Sequence, residues 1–133
     1  MTYIETSSTI AGISKSAISD YFVTVNQAEF AKTASLFAEN GTLLPPFEKP
    51  IIGRANIAAY LSKEAKGMKL LPQQGVCEAE TDWLKYKVLG KVKTSLFNIN
   101  VAWHFILGQE EQIDTVQIKL LASPQELLSL QSK

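Results

Sequence analysis

Between Asn98 and Leu107 the chain alternates between two kinds of position. Ile99, Val101, Trp103, Phe105 and Leu107 share one parity, and Asn98, Asn100, Ala102, His104 and Ile106 share the other. Period two sends successive side chains to opposite faces of a strand, so this segment predicts a strand with a dry side that contains an indole. The preceding segment, 83–95, has the same character. Leu84, Tyr86, Val88 and Val92 alternate there with Lys85, Lys87, Lys91 and Lys93. Segments 68–80 and 112–122 complete a run of four expected strands, with a hairpin turn over 108–111.

The first half of the chain has helical spacing instead. Ile18, Phe22 and Val25 recur at i, i+4 and i+7, with Tyr21 flanking them, and predict a short helix from about Lys15. Asn26 and Glu29 have the spacing of a capping box and predict a second helix, lined by Phe30, Ala34 and Phe37 and ended by Asn40–Gly41. A short strand over 42–44 is stopped by Pro45–Pro46. A third helix is expected from near Gly53 through Ile57, Tyr60 and Leu61, with Gly67 in the left-handed position after its end. Ser123, Pro124 and Glu126 have the order of a helix start, and predict a last short helix carrying Leu127, Leu128 and Leu130.

Helices followed by a long antiparallel run imply an α+β fold with the helices on one face of the sheet. If the sheet curves strongly, the helices close it into a cone whose interior is a pocket. The 133 residues suffice for one domain. Residues 1–14, polar and rich in Ser and Thr, read as a loose arm, and 15–133 as the domain. The arm lacks the charged start and apolar stretch of a secretory signal, which suggests an intracellular protein. No apolar run approaches the ~20 residues of a membrane helix.

With 13 basic and 13 acidic side chains the formal charge is zero, and no electrostatic case for nucleic acid exists. Cys77, the single cysteine, excludes an internal disulfide and a cysteine-based zinc site. It has no basic neighbour in sequence to activate it, and reads as an inert thiol.

Catalytic constellations are sparse. His104 is the only histidine, and its parity aims it away from the face of Trp103. Segments 83–95 and 97–107 contain no acid. Asp114 belongs near the hairpin and faces water, and Glu78, Glu80 and Asp82 have the composition of a solvated turn. Gly53 and Gly67 are isolated, so no phosphate-cradling loop is present. Two side chains stand out for another reason. Tyr21 and Trp103 each present an apolar body and one directional donor. Either they are core aromatics whose polar atoms meet the backbone, or they grip one oxygen at the end of a hydrocarbon ligand. In a dry pocket such bonds are stronger than in water.

Several separated segments resemble, in order, the C-terminal domain of the orange carotenoid protein. They are Leu44–Pro45–Pro46–Phe47–Glu48–Lys49–Pro50–Ile51–Ile52–Gly53, Met68–Lys69–Leu70–Leu71–Pro72, 87–93 around Gly90, Asn100–Val101–Ala102–Trp103, and Leu120–Leu121–Ala122–Ser123–Pro124–Gln125–Glu126–Leu127–Leu128. The likeness runs from about Ser16 to Leu130 and is to the free-standing cyanobacterial homologues of that domain. It implies a nuclear-transport-factor-2-like cone, shared with SnoaL-like cyclases and ketosteroid isomerase. It further implies a ketocarotenoid, canthaxanthin or echinenone, whose keto oxygen accepts hydrogen bonds from Tyr21 and Trp103. The family's lining positions fall on Val25, Ala65, Met68, Leu70, Val92, Ile118 and Leu120.

The same resemblance implies a cytoplasmic homodimer without enzymatic activity. Such a protein transfers pigment to or from helical carotenoid proteins, quenches singlet oxygen, and touches membranes transiently for pigment uptake. The C-terminal helix resembles a tail that gates the pocket. Leu96–Phe97 departs from relatives that carry Trp followed by Phe or Cys, which removes one ring from the pocket mouth and the cysteine of an intersubunit disulfide. The alternative is a SnoaL-like or isomerase-like enzyme on a small hydrophobic substrate. It requires an ionisable group facing the cone.

Overall fold

The computed structural model describes residues 10–121. Residues 1–9 of the expected arm and the helix expected after Ser123 lie outside them. Helix α1 (Ser16–Asn26) buries Ile18, Tyr21, Phe22 and Val25, the stripe that the 3.6-residue period marks. Helix α2 (Phe30–Ser35) and strand β1 (Phe37–Leu44) follow, then the short strand β2 (Ile51–Ile52) and helix α3 (Arg54–Glu64). Strands β3 (Lys69–Glu80), β4 (Leu84–Lys93), β5 (Asn98–Leu107) and β6 (Ile113–Leu120) complete a six-stranded sheet in the order β2-β1-β6-β5-β4-β3. The fold is α+β, and the four long strands match the expected segments to within two residues at each end.

Every neighbouring pair of strands is antiparallel except β1 and β6, which run parallel with Leu43 opposite Val116. The sheet is therefore mixed rather than purely antiparallel. Alternation fixes which side chains share a face and carries no sign of strand direction. Register shifts interrupt β3 between Pro72 and Gln74 and again between Cys77 and Ala79, and another falls at Ile106/Leu107 between β5 and β6. Such bulges bend and twist a strand, and here they curve the sheet around the helices.

The stretch from Asn26 to Gly41 departs from expectation. Glu29 is the N-cap of α2 and its side chain caps nothing, so the capping box is not made. The Asn26 amide instead donates to the Leu70 carbonyl at 2.9 Å and accepts from the Leu70 N–H at 2.7 Å, tying the end of α1 to the start of β3. Ala28, at φ 59, turns the chain between the two helices. Helix α2 then stops at Ser35, and Asn40–Gly41 lie inside β1 at a register shift between Phe37 and Thr42. Phe37 lies at helical spacing from Phe30 and Ala34, yet it is fully buried as the first residue of a strand. Burial fits either period, so spacing could not separate the two.

Packed structure begins inside the segment expected as a loose arm. Ile10 is buried, Ala11 bridges Gln74 in parallel, and the Gly75 N–H donates to the Ala11 carbonyl at 2.7 Å. Gly12 makes this contact possible. It sits at φ +87, and a Cβ there would lie 1.9 Å from the Gly75 carbonyl oxygen. The packed body thus reaches Ile10 rather than starting at Lys15.

The core lies between the helices and the inner face of the sheet. Five aromatic contacts knit it together, all edge-on, linking Tyr21, Phe22, Phe37, Trp103 and Phe105. Among the described residues no helix is long and apolar enough to cross a membrane. Asn26→Ala strips two bonds from the backbone of buried Leu70 and leaves its N–H and C=O unpaired. The expected loss is about 1–2 kcal/mol of stability, read from urea or thermal unfolding. An unchanged unfolding midpoint would contradict the clamp.

Candidate functional site

Strand register builds one wall of a cavity. Leu70, Val92 and Ile99 stand opposite one another across β3, β4 and β5, while Val101 faces Leu120 and Trp103 faces Ile118 across β5 and β6. Being in register on the inner face, these side chains form a continuous apolar surface. The facing wall comes from Tyr21 and Val25 of α1, Tyr60, Leu61 and Glu64 of α3, Ala65 just after it, and Pro45–Pro46 after β1.

The enclosed volume is about 160 Å³. An apolar cavity of roughly 150 Å³ stays dry and admits benzene, so this one has room for about one six-membered ring. Sites that engulf a whole drug-sized ligand are larger, roughly 300–1,000 Å³. The geometry therefore suits the end of a long apolar molecule.

Tyr21, Val25, Ala65, Met68, Leu70, Val92, Trp103, Ile118 and Leu120 all line this cavity. Tyr21 and Trp103 are each 1% exposed. The Phe22 ring meets both edge-on, at centroid distances of 5.3 Å and 4.7 Å, so the two donors share one packing partner. Among the described residues the Tyr21 hydroxyl and the Trp103 indole N–H donate to no protein acceptor. Burial pushes the Tyr21 phenol well above its ordinary value of 10.0, so it remains a protonated donor. Tyr60 is raised as well, first by burial and then by its hydrogen bond to Glu48. Its hydroxyl donates to Glu48 Oε2 at 2.9 Å.

Sequence reasoning did not single out Leu43, Pro45, Pro46, Tyr60, Leu61, Glu64, Thr94, Ile99 and Val101 as part of the site, and all of them line it. Ile99 and Val101 share the parity of Trp103, so that signal was available. Thr94 continues the parity of Val92 just past β4, and Leu43 lies in β1 opposite Val116, whereas Pro45, Pro46, Tyr60, Leu61 and Glu64 reach the cavity through the closure of α3 and the β1–β2 loop over the sheet, which local spacing does not encode. Leu96 and Phe97 lie in the β4–β5 turn next to the lining residues Thr94 and Ile99, 81% and 62% exposed.

Among the described residues the carboxylates and the histidine are peripheral to the cavity. Glu64 lies at the wall but is exposed. His104 stands opposite Lys87 and Gln117 in the sheet, away from the cavity. Partial burial and then the nearby Lys119 charge lower its pKa from 6.5, which keeps it neutral at pH 7. Among the described residues no group of three or more His, Cys, Asp or Glu could hold a metal ion. Half-buried Cys77 makes a weak contact of 3.6 Å to the Ala79 carbonyl.

No model of a known protein family matches the chain. It is 42% identical over 126 residues to the orange carotenoid-binding protein of Limnospira maxima, an alignment that covers 91% of this chain and 40% of that protein. Among solved structures, the orange carotenoid protein of Anabaena (Nostoc) sp. PCC 7120 binding canthaxanthin superposes with a TM-score of 0.83 at 40% identity. It too covers 91% of this chain and 40% of the other. A nuclear-transport-factor-2-like protein from Cytophaga hutchinsonii shares the fold at 13% identity, with a TM-score of 0.64 over 84% of this chain and 91% of its own. The chain spans about two-fifths of the length of the orange carotenoid proteins it matches. Over nine-tenths of its own length, it is a homologue of the orange carotenoid protein in the part that forms that protein's C-terminal domain, with a nuclear-transport-factor-2-like fold.

Proposed function

We propose that this chain is a ketocarotenoid carrier. The terminal ring of canthaxanthin or echinenone enters the cavity, and its keto oxygen accepts from the Tyr21 hydroxyl and the Trp103 indole. One observation carries the reading: an apolar chamber about one ring in size has two deeply buried donors in its wall and, among the described residues, no buried carboxylate, histidine or lysine. The homology to proteins that bind carotenoid supports it. An isomerase-like reaction needs a desolvated acid or base, and the carboxylate at this wall, Glu64, is exposed.

The chamber holds only one end of a polyene. The remainder would leave apolar surface in water at a cost of about 25 cal/mol per Å². A second copy related by a two-fold axis covers the other ring of a symmetrical pigment, so the loaded form is a homodimer. The same exposed chain lets pigment pass to or from helical carotenoid proteins, with a transient membrane contact during uptake. Singlet-oxygen quenching by the bound polyene gives the cytoplasmic carrier a photoprotective role.

Co-expression with canthaxanthin or echinenone synthesis tests this. The purified protein should be coloured, dimeric by light scattering, and strongly red-shifted relative to free pigment. Colourless protein from pigment-producing cells would overturn the reading.

A further inference from the structure

The inner cavity shares Pro45, Pro46, Ile118 and Leu120 with a second, more open groove of about 460 Å³. Between the two lies the loop that joins β1 to β2. Strand β1 leaves the sheet after Leu44, its last partner of β6 being opposite Gln117, so beyond that point the loop replaces a strand as the wall. Its foot is held by two strand pairs, Thr42 with Ile52 and Leu43 with Ile51, by the Gly53 N–H on the Gly41 carbonyl at 2.9 Å, and by the Asn56 amide on the Ile52 carbonyl. Phe47 at its tip is 93% exposed and sits at φ 63, a strained conformation for a residue with a β-carbon. Among the described residues, one side-chain hydrogen bond ties the upper loop to α3, from the Tyr60 hydroxyl to Glu48 Oε2. Glu48 makes no ion pair among them.

We infer that Tyr60 and Glu48 form the latch that sets how fast ligand enters and leaves the cavity, by holding the Pro45–Pro46 wall shut. This rests on the carrier reading above. The cavity is partly open, so a ring entering or leaving it must pass between its walls, and the wall that yields most easily sets the width of the passage. The sheet wall is pinned by its ladder, and α3 is pinned by buried Ile57 and Leu61. Above its foot the loop pairs with no strand among the described residues. Opening it would join the cavity to the outer groove, giving the ring a route out along Ile118 and Leu120. Tyr60 and Glu48 are thus positioning residues, with no contact to the keto group.

A latch changes the population of the open state, so it changes entry and exit together and leaves affinity nearly constant. Tyr60→Phe keeps the ring in the wall and removes the hydroxyl. Glu48→Ala removes the acceptor, and Glu48→Gln keeps one. Uptake of canthaxanthin, and its release to excess lipid vesicles, would be followed by absorbance. Tyr60→Phe and Glu48→Ala should each speed both rates about three- to tenfold. The double variant should do no more, and Glu48→Gln should stay near the parent. Unchanged rates, or faster release alone with weaker binding, would overturn the latch.

Amide hydrogen exchange on unloaded protein gives a second measure. Residues 47–52 should exchange faster in Tyr60→Phe and Glu48→Ala, with β4 and β5 unaffected. If the parent takes up no pigment the carrier reading fails, while the exchange data still judge the latch. Identical exchange in that loop would dismiss it.

Discussion

Tyr21→Phe combined with Trp103→Phe should yield a folded protein that holds ketocarotenoid weakly and shows little of the red shift. Both donors are deeply buried in a mostly apolar wall, so a keto oxygen inserted between them depends on them for its hydrogen bonds. An acceptor buried without a donor costs about 1–3 kcal/mol, which corresponds to roughly a ten- to hundredfold loss of affinity. The colour should follow. Two donors draw electron density towards the carbonyl at the end of the conjugated chain and narrow its excitation gap. Removing them leaves the polyene in an apolar cavity that does not polarise it.

The fold should survive the double change. Among the described residues the Tyr21 hydroxyl donates to no protein acceptor, so its loss removes no bond between them. Trp103→Phe leaves a modest void beside Phe22, at about 1–3 kcal/mol. Because burial raises the Tyr21 phenol, the parent's spectrum should also hold steady as pH rises through the ordinary tyrosine value of 10.0. Below its raised pKa the phenol keeps its proton, and with it the bond. An unaltered spectrum in the double variant, or bleaching of the parent near that pH, would remove Tyr21 and Trp103 from the role proposed for them.

What could be read in advance follows from which forces act locally. The inner faces of β4 and β5 were legible because apolar residues recur there at period two, and the lysines of β4 alternate with residues that are now mostly buried. Tyr21 and Trp103 were legible as donors on dry faces. The parallel pairing of β1 with β6 was not, because pairing direction depends on the path of the whole chain. Asn26 misled for a different reason. Its spacing from Glu29 suits a capping box, and a competing partner in the backbone of Leu70, distant in sequence, takes its amide. Tyr60 and Pro45–Pro46 became part of the site only when α3 and the β1–β2 loop folded over the sheet. The resemblance to the orange carotenoid protein marked lining positions in both halves of the chain, and those positions meet around one cavity.

Ala65→Phe should abolish pigment uptake while leaving stability almost unchanged. Ala65 follows α3 at φ −103 and ψ 0, a conformation open to any L-residue, and it is 7% exposed at the cavity wall. A benzyl group there would occupy the space in a chamber sized for about one ring. Burying that ring gains roughly 2–3 kcal/mol, and fitting it against Val92 and Leu61 costs about 1–3 kcal/mol. These nearly cancel, so the melting temperature should move by only a few degrees, ~4 °C per kcal/mol of imbalance for a domain of this size. The ligand faces no such cancellation, since its ring and the new side chain need the same volume. His104→Gln, on the outer face of the sheet, serves as the control and should load like the parent. Should the Ala65→Phe protein colour as deeply as the control, pigment must bind outside the chamber. The hydrogen-bonding roles of Tyr21 and Trp103 would then fall with it.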